Sequence, residues 1–197
     1  TVDQYTPVKV LENVKDFYSY FYLSSAVTTN GDLYCWGYNW YGTVGNGANA
    51  DQYTPVKVLE NVKDFYFCSY LSAAVTTNGD LYCWGYNNWD GTVGNGSTEY
   101  QYTPVKVLEN VKDFYSCIYL SSAVTTNGDL YCWGDNEYGE VGNGSAVDQY
   151  TPVKVLENVK EFYGAGFTSS AVTTNGDLYC WGYNTSGEVG NGSTADQ

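Results

Sequence analysis

The sequence predicts an all-β protein built from four copies of one repeat, and three observations support this prediction. The segment Thr-Pro-Val-Lys-Val-Leu-Glu-Asn-Val-Lys occurs four times, starting at Thr6, Thr54, Thr103 and Thr151. A Trp-Gly pair recurs at intervals of 48, 49 and 48 residues, with its tryptophan at Trp36, Trp84, Trp133 and Trp181. Short runs rich in Val, Thr, Tyr and Trp alternate with Gly and Asn-Gly, which is typical of strands joined by turns.

The elements of one copy follow in order from its residue pattern. Val8 and Val10 form a brief apolar run after a proline, and residues 14–18 begin a second run. Residues 26–29 form a third run and residues 33–36 a fourth. The glycines that close each copy would break a helix repeatedly. Each copy is therefore expected to contain three to four strands and essentially no helix.

A hairpin is expected between the third and fourth runs, at Asn30-Gly31. Asn-Gly is a strong hairpin signal because both central residues of a type I′ turn need positive φ. The same pair recurs at Asn78-Gly79, Asn127-Gly128 and Asn175-Gly176. The sequence therefore predicts four hairpins with type I′ turns.

Repeated units of this length with about four strands each favour the blades of a β-propeller. Neighbouring units of a repeat array share one core, so residues 1–197 are interpreted as a single repeat domain. Its four blades are expected at approximately 5–52, 53–101, 102–149 and 150–197.

The repeat has a long consensus that covers nearly the whole chain. It reads Ala-Val-Thr-Thr-Asn-Gly-Asp-Leu-Tyr-Cys-Trp-Gly-x-Asn-x-x-Gly-x-Val-Gly-Asn-Gly, followed after a short loop by Pro-Val-x-Val. This pattern resembles the repeat of the regulator of chromosome condensation (RCC1) family. Serine stands where that family usually has histidine, at Ser24, Ser72, Ser121 and Ser169. Thr or Glu stands where it has glutamine, at Thr43, Thr92, Glu140 and Glu188.

The resemblance implies a β-propeller, usually of seven blades, whereas this chain has four units. Three arrangements are open: a closed ring of four blades, two chains that complete one ring of eight, or an excised half. Thr1-Val2-Asp3-Gln4 and Ala195-Asp196-Gln197 lie at the same phase of the repeat, so one end can follow the other in register. Exposed apolar blade faces would also favour aggregation. We therefore favour a homodimer that completes an eight-bladed ring.

Composition excludes several classes of partner and site. With 8 lysines, no arginine and 22 acidic residues, the net charge of −14 would repel nucleic acid. No run of about 20 apolar residues predicts a membrane span. Neither a signal peptide nor an initiating methionine is visible, which suggests a mature or excised soluble piece. Similar repeat arrays occur in secreted or surface proteins of bacteria, which favours a secreted or cell-surface location for this chain.

Catalysis, cofactors and metals have no support in the sequence. Histidine is absent, no Cys-x-x-Cys pair occurs, and neither a nucleophile elbow nor a phosphate-binding glycine loop is present. The chain is expected to be no enzyme and to bind no cofactor. One cysteine recurs just before each Trp-Gly pair, and we expect it to be a small buried residue, at Cys35, Cys83, Cys132 and Cys180.

Two stretches differ among the copies, around residues 19–23 and directly after Trp-Gly. They are rich in Tyr, Ser, Trp, Asn, Asp and Gly, the mixture favoured in antibody-like binding surfaces. We interpret them as a face that binds a protein or another extended ligand. The candidate ligand-binding residues are Trp40, Tyr41, Trp89, Asp90, Glu137, Tyr138, Tyr20, Tyr22, Tyr70 and Tyr119.

A structural role competes with this interpretation, because aromatic residues of β proteins mostly pack in cores and across strands. That role suits the recurring Trp-Gly tryptophans, whereas Trp40 and Trp89 have no equivalents in other copies. The segment around Tyr20 could equally pack toward a central channel or a second chain. Two functions result: a non-enzymatic binding scaffold, or a self-assembling structural protein that could be consensus-built.

The founding member of the resembled family promotes nucleotide exchange on a small GTPase, but the acidic charge argues against that role here. Family relatives that inhibit enzymes through aromatic blade loops are the better analogy.

Overall fold

The computed structural model describes residues 3–68, 70–87 and 89–197. These residues form strands and no helix. The first sheet contains β1 (Val14–Tyr20), β2 (Leu23–Thr28), β3 (Leu33–Gly37) and β4 (Gln52–Leu59). The second contains β5 (Val62–Cys68), β6 (Leu71–Thr76), β7 (Leu81–Gly85) and β8 (Gln101–Leu108). The third contains β9 (Val111–Ser116), β10 (Leu120–Thr125), β11 (Leu130–Gly134) and β12 (Gln149–Leu156). The fourth contains β13 (Val159–Ala165), β14 (Thr168–Thr173) and β15 (Leu178–Gly182).

Each sheet is an antiparallel meander whose strands lie in sequence order, which confirms the all-β, blade-like fold. The sheets start at residues 14, 62, 111 and 159, nine residues after each expected blade boundary. The offset arises because the Thr-Pro-Val-Lys-Val segment pairs with β3, the strand that precedes it in the chain. Leu59 lies opposite Leu33 and Val56 lies opposite Cys35. The segment that opens one repeat is thus the fourth strand of the preceding sheet. An edge strand suits its proline, which cannot donate a backbone hydrogen bond.

The hairpins occur where expected, but the type I′ prediction is wrong. Gly31 N–H donates to Thr28 O at 2.9 Å, and Thr28 N–H donates to Asp32 O at 2.9 Å. Gly31 has φ of +85°, whereas Asn30 is not in the left-handed region. This is a three-residue loop, a type I turn followed by a left-handed glycine. The turn also contacts the next sheet, since Val62 N–H donates to Gly31 O at 2.9 Å.

The apolar core lies between neighbouring sheets. Each of its three clusters takes two leucines, two valines and a cysteine from one sheet and the loop that follows its third strand. The next sheet adds a valine, an alanine and a tryptophan, with a phenylalanine that is buried in two clusters and only partly buried in the third. Between the second and third sheets these residues are Leu71, Leu81, Val75, Val93 and Cys83 with Val111, Phe114, Ala123 and Trp133. The recurring cysteine is fully buried at Cys35, Cys83 and Cys132. Burial raises the pKa of these thiols well above the usual range.

Two donors from one sheet meet a single carbonyl of the sheet before it. Trp133 Nε1–H and Ser121 Oγ–H each donate to Thr92 O at 2.9 Å. Trp84 and Ser72 donate to Thr43 O at 3.0 and 2.8 Å. Trp181 and Ser169 repeat the arrangement on the carbonyl of Glu140. These serines, and the Thr or Glu residues that supply the carbonyl, are the positions at which the sequence departs from the RCC1 consensus. They therefore lie where one sheet is hydrogen-bonded to the next, and we call these contacts the joints between sheets.

The expected core role of the Trp-Gly tryptophans holds for the three that follow another sheet. Trp84 and Trp133 are fully buried, and Trp181 is nearly so. Trp36 is only half-buried, because no described sheet precedes the first one.

Candidate functional site

All ten predicted binding residues lie at one end of the sheets, here called the loop end. Antiparallel pairing places the β1–β2 connection and the β3–β4 connection at the same end, and the Asn-Gly hairpins at the other. The equivalent connections of the other three sheets lie at the same two ends. Ser69 and Asn88, which belong to the variable stretches, lie outside the described residues.

A buried asparagine holds each long loop after the Trp-Gly pair. Asn136 Nδ2–H donates to Ser145 O at 2.9 Å and Val147 O at 3.0 Å, while its Oδ1 accepts Val141 N–H at 2.9 Å. Asn136 N–H also donates to Asp148 Oδ1 at 3.0 Å. Four residues of this kind, each fully buried, form what we call the asparagine braces: Asn39, Asn87, Asn136 and Asn184.

The sequence analysis missed the asparagine braces although a signal was present. In each variable stretch after Trp-Gly, the second residue is always Asn while its neighbours change. A polar residue kept constant among changing neighbours indicates a loop whose backbone is fixed by that side chain. The braces therefore give the variable side chains a rigid frame.

A first aromatic cluster covers the loop end of the first two sheets. Tyr41 lies at its centre, with ring centroids 4.7 Å from Tyr70, 5.2 Å from Tyr86 and 5.5 Å from Tyr100. Four more rings extend the cluster toward β1: Tyr38, Tyr22, Phe21 and Tyr20. Desolvation raises the pKa of Tyr38 and Tyr100 above the ordinary value of a tyrosine.

The first aromatic cluster borders an apolar cavity of about 330 Å³. Its walls include Phe21 from the first sheet, Phe67 from the second and Ile118 beside the third. The cavity is thus bordered by the end of strand β5 and by the connections that follow β1 and β9. Of the two roles open for the segment around Tyr20, packing toward the centre fits the contact of its ring with Phe67, at 5.7 Å.

Two exposed aromatic residues have left-handed backbones. Phe21 has φ of +45° and Trp89 has φ of +63°, although bulky side chains rarely adopt this region. Gly166 holds the position equivalent to Phe21 in the fourth repeat, with φ of +67°. Phe21 is 83% exposed and Trp89 is 76% exposed. Each therefore combines backbone strain with an apolar ring held in water.

Trp40 and Trp89 flank the first aromatic cluster. Trp40 is 65% exposed, next to the central Tyr41. Trp89 lines a groove of about 300 Å³ together with Glu99, Tyr100 and Tyr102. Both tryptophans lie outside the cores between sheets, as the recognition hypothesis requires.

A second aromatic cluster lies at the loop end of the third and fourth sheets. Tyr138 has its ring centroid 5.1 Å from Tyr183 and 5.7 Å from Phe167, and Tyr119 stacks on Phe167 at 6.2 Å. Phe167 was not among the predicted residues, although it follows the glycine of its variable stretch. Glu137 is exposed beside this cluster.

An acidic patch lies between the two clusters. Asp135 stands where the other three copies have tyrosine. Partial burial, followed by the charges of Asp135 and Asp148, raises the pKa of Asp90 to about 6. The loop end therefore presents aromatic, acidic and aromatic surface in turn. Over the described ranges, His, Cys, Asp and Glu form no group of three that could hold a metal ion. The same residues include no helix able to cross a bilayer.

Comparison with known proteins identifies the repeat. The family described as regulator of chromosome condensation (RCC1) repeat matches residues 30–75 and 127–170, and a second RCC1 repeat family matches residues 165–188. No curated protein sequence matches the chain significantly.

Solved structures match the fold along about half of their own length. Yeast Prp20 bound to Kap60 has a TM-score of 0.75 and 21% identity, covering 97% of this chain and 48% of that chain. Prp20p from Saccharomyces cerevisiae gives 0.75 and 21%, covering 96% and 50%. Human WBSCR16 gives 0.69 and 20%, covering 98% and 53%. This chain thus spans about half the length of these relatives.

Proposed function

Because the chain belongs to the RCC1 repeat family of β-propellers, we propose that it is a non-enzymatic binding module that grips a protein partner with its loop end. The observation that supports this most is the pair Phe21 and Trp89, two exposed rings on left-handed backbones. Such a conformation costs on the order of 1–3 kcal/mol per residue. A glycine at position 21 would avoid this cost, as it does in the fourth repeat.

The frame beneath these rings supports recognition rather than random surface variation. The asparagine braces fix the loop backbones, so that rigid aromatic side chains lose little entropy when a partner binds. Trp40 and Tyr41 stand on a braced loop of the first sheet, and Glu137 and Tyr138 on a braced loop of the third. Tyr22 and Tyr70 lie on other connections and contact rings of a braced loop, Tyr38 and Tyr41. Tyr20 and Tyr119 lie outside the braced loops as well.

The chemistry of the loop end favours a partner surface with both apolar and basic groups. Lys and Arg side chains can lie over tyrosine faces and also approach the acidic patch of Asp90, Asp135 and Asp148. Solved relatives are consistent with a protein partner, since yeast Prp20 was solved bound to Kap60 and its binding to Gsp1p and histones has been described. Those partners belong to the relatives.

A random 12-residue peptide display library, selected on the immobilised chain, tests this proposal. Enriched peptides should combine aromatic or aliphatic residues with Lys or Arg. Their affinity should fall at least tenfold on Phe21→Gly and Trp89→Ala, and remain unchanged on Tyr163→Ala. Tyr163 is a matched control because it is an exposed tyrosine on strand β13. Equal binding by all variants would contradict a binding role for the loop end.

A second candidate function is self-assembly into a homodimer that completes an eight-bladed scaffold. It is favoured by two exposed apolar residues whose equivalents are buried elsewhere. Phe17 is 77% exposed, whereas the equivalent Phe114 and Phe162 are buried, and Leu178 is 65% exposed, whereas Leu130 is fully buried. Light scattering tests this candidate: twice the mass of the chain supports it, and a monomer contradicts it.

A further inference from the structure

The groove beside Trp89 is built from two positions at which the second repeat departs from the other copies. Its walls are Trp89, Thr98, Glu99, Tyr100 and Tyr102, and its volume is about 300 Å³. The loop after Trp-Gly is one residue longer in this repeat, and it carries Trp89. Tyr100 stands where the other copies have aspartate. Both departures therefore line the same groove.

The aspartate that Tyr100 replaces has a structural role in the other repeats. In the first repeat, Asp51 Oδ1 accepts the backbone N–H of the asparagine brace Asn39 at 3.0 Å. The third and fourth repeats contain the same contact at 3.0 and 2.8 Å. A tyrosine has no carboxylate for this contact, so the second repeat loses a hydrogen bond that the common fold uses. This loss supports a role for the Tyr100 ring outside that fold.

The two tyrosine walls of the groove are held in place by the first repeat. The ring centroid of Tyr100 lies 5.5 Å from that of Tyr41, with the rings edge to face. Tyr102 O accepts Gly47 N–H at 2.8 Å. Gly42 packs so closely on Tyr102 that a Cβ at Gly42 would lie 2.9 Å from Tyr102 Cα. Both rings are therefore positioned before a partner arrives, which lowers the entropy cost of binding.

Trp89 and Glu99 add a third ring and a carboxylate. Trp89 is 76% exposed and has φ of +63°, so its ring is held in water on a strained backbone. The backbone of Glu99 is fixed, because its N–H donates to Ser97 Oγ at 3.0 Å and its carbonyl accepts Asn87 Nδ2–H at 3.1 Å. The side chain of Glu99 is exposed, and among the described residues its carboxylate joins no ion pair.

Aromatic faces beside a fixed carboxylate suit a guanidinium group. A guanidinium is planar, stacks on aromatic rings and presents its N–H groups in a fork that matches a carboxylate. The ammonium group of lysine is compact and more strongly hydrated, so it gains less from the rings. A quaternary ammonium ion has no N–H group to donate to Glu99. The net charge of −14 and the neighbouring Asp90 attract a cation to this part of the loop end.

We propose that the groove beside Trp89 binds an arginine side chain of the protein partner. The guanidinium lies against the rings of Trp89 and Tyr100 and donates to the carboxylate of Glu99. This inference rests on the proposed binding function of the loop end, to which it adds a preference for arginine over lysine.

Two capped tripeptides that differ in one residue test this preference on the intact chain. Acetyl-Gly-Arg-Gly-amide and its lysine counterpart are titrated into isotope-labelled protein, and the indole N–H signal of Trp89 is followed by NMR. The variant Trp89→Phe assigns that signal. The arginine peptide should shift it and bind at least about threefold more tightly than the lysine peptide. Equal binding of the two peptides, or no shift with either, would overturn the proposal.

Three variants show which groups hold the arginine. Glu99→Gln should weaken binding of the arginine peptide about fivefold, because it removes the charge of the acceptor. Tyr100→Asp should also weaken binding, although it adds a negative charge, because it removes a ring while restoring the residue of the other repeats. Stronger binding by Tyr100→Asp would show plain charge attraction and overturn the stacking. Trp40→Ala is the matched control, an exposed tryptophan on the equivalent loop of the first repeat, and it should leave binding unchanged.

Peptides selected from the display library separate failure of this inference from failure of the proposed function. Selected peptides whose affinity is the same for the unmodified chain and for Glu99→Gln would overturn the arginine site, while binding by the loop end stands. An absence of selected peptides would overturn the binding function and, with it, an arginine supplied by a partner.

Discussion

Replacing the asparagine brace of the third repeat should destabilise the protein by several kcal/mol. Asn136→Ala removes the two donors to Ser145 O and Val147 O and the acceptor for Val141 N–H. Each such hydrogen bond contributes a net 0.5–1.5 kcal/mol, or about 3 kcal/mol for three. Val141 is fully buried, so its unpaired N–H adds roughly 1 kcal/mol more. We expect a loss of about 3–4 kcal/mol.

Asn136→Asp separates the donor half of the asparagine brace from its acceptor half. The carboxyl keeps an acceptor for Val141 N–H but turns an oxygen toward the carbonyls of Ser145 and Val147. A buried carboxylate beside two carbonyls has a raised pKa. Its folded-state pKa then exceeds the unfolded value, so stability is retained at low pH and lost as pH rises through the folded pKa. The variant should be relatively more stable at pH 4.5 than at pH 7.5.

Urea unfolding followed by tryptophan fluorescence measures both changes. Glu137→Ala is the matched control, because this exposed neighbour makes no such brace, and it should change stability by less than about 0.5 kcal/mol. If Asn136→Ala unfolds at the same urea concentration as Glu137→Ala, the asparagine does not fix the loop and the reasoning fails.

Three further predictions concern charge and the joints between sheets. Asp90→Asn should raise the melting temperature at pH 7.5 but hardly at pH 4.5. The native pKa of about 6 exceeds the unfolded value, so the carboxyl favours folding at low pH and loses that contribution as pH rises through 6. Equal gains at both pH values would contradict this. Glu140→Gln should also stabilise at pH 7.5, because desolvation raises the pKa of this buried carboxyl and its Oε1 has no hydrogen-bond partner. A lower melting temperature at pH 7.5 would show that the charge is needed. Trp133→Phe removes the donor to Thr92 O and should cost about 1–3 kcal/mol in calorimetry, with Trp36→Phe in dilute monomer costing less. An equal loss of stability in Trp133→Phe and Trp36→Phe would show that the hydrogen bond to Thr92 O does not stabilise the protein.

Local sequence was sufficient for the strands but not for their pairing. Turn residues and β-branched runs predict where strands begin, since these signals act within a few residues. The partner of the segment that starts at Thr54 is a long-range choice, and it pairs with β3 behind it rather than with β5 ahead. Each sheet therefore starts nine residues after the expected start of a repeat. The hairpin turn depended on Thr28, whose hydroxyl accepts Asp32 N–H at 3.1 Å, a contact that Asn-Gly statistics do not contain.

The candidate site was predictable in outline. Positions that differ among nearly identical repeats are not required by the fold that the repeats share, so they are candidates for another role. That reasoning selected Trp40 and Trp89, which are exposed. It placed Tyr41 with them, although four neighbouring rings surround Tyr41. It could not detect the strained backbone of Phe21, since φ is a property of the folded chain. Whether these residues bind a ligand stays a prediction.

The joints between sheets are made to a peptide carbonyl and leave the side chain at that position unspecified. Thr43, Thr92 and Glu140 therefore serve equally well as acceptors for the tryptophan and serine that follow. Any copy can accordingly succeed any other without compensating substitutions. A gene encoding such modules could gain or lose whole units by duplication and deletion. Each new neighbour would then find the acceptor carbonyl already in place, because it belongs to the backbone.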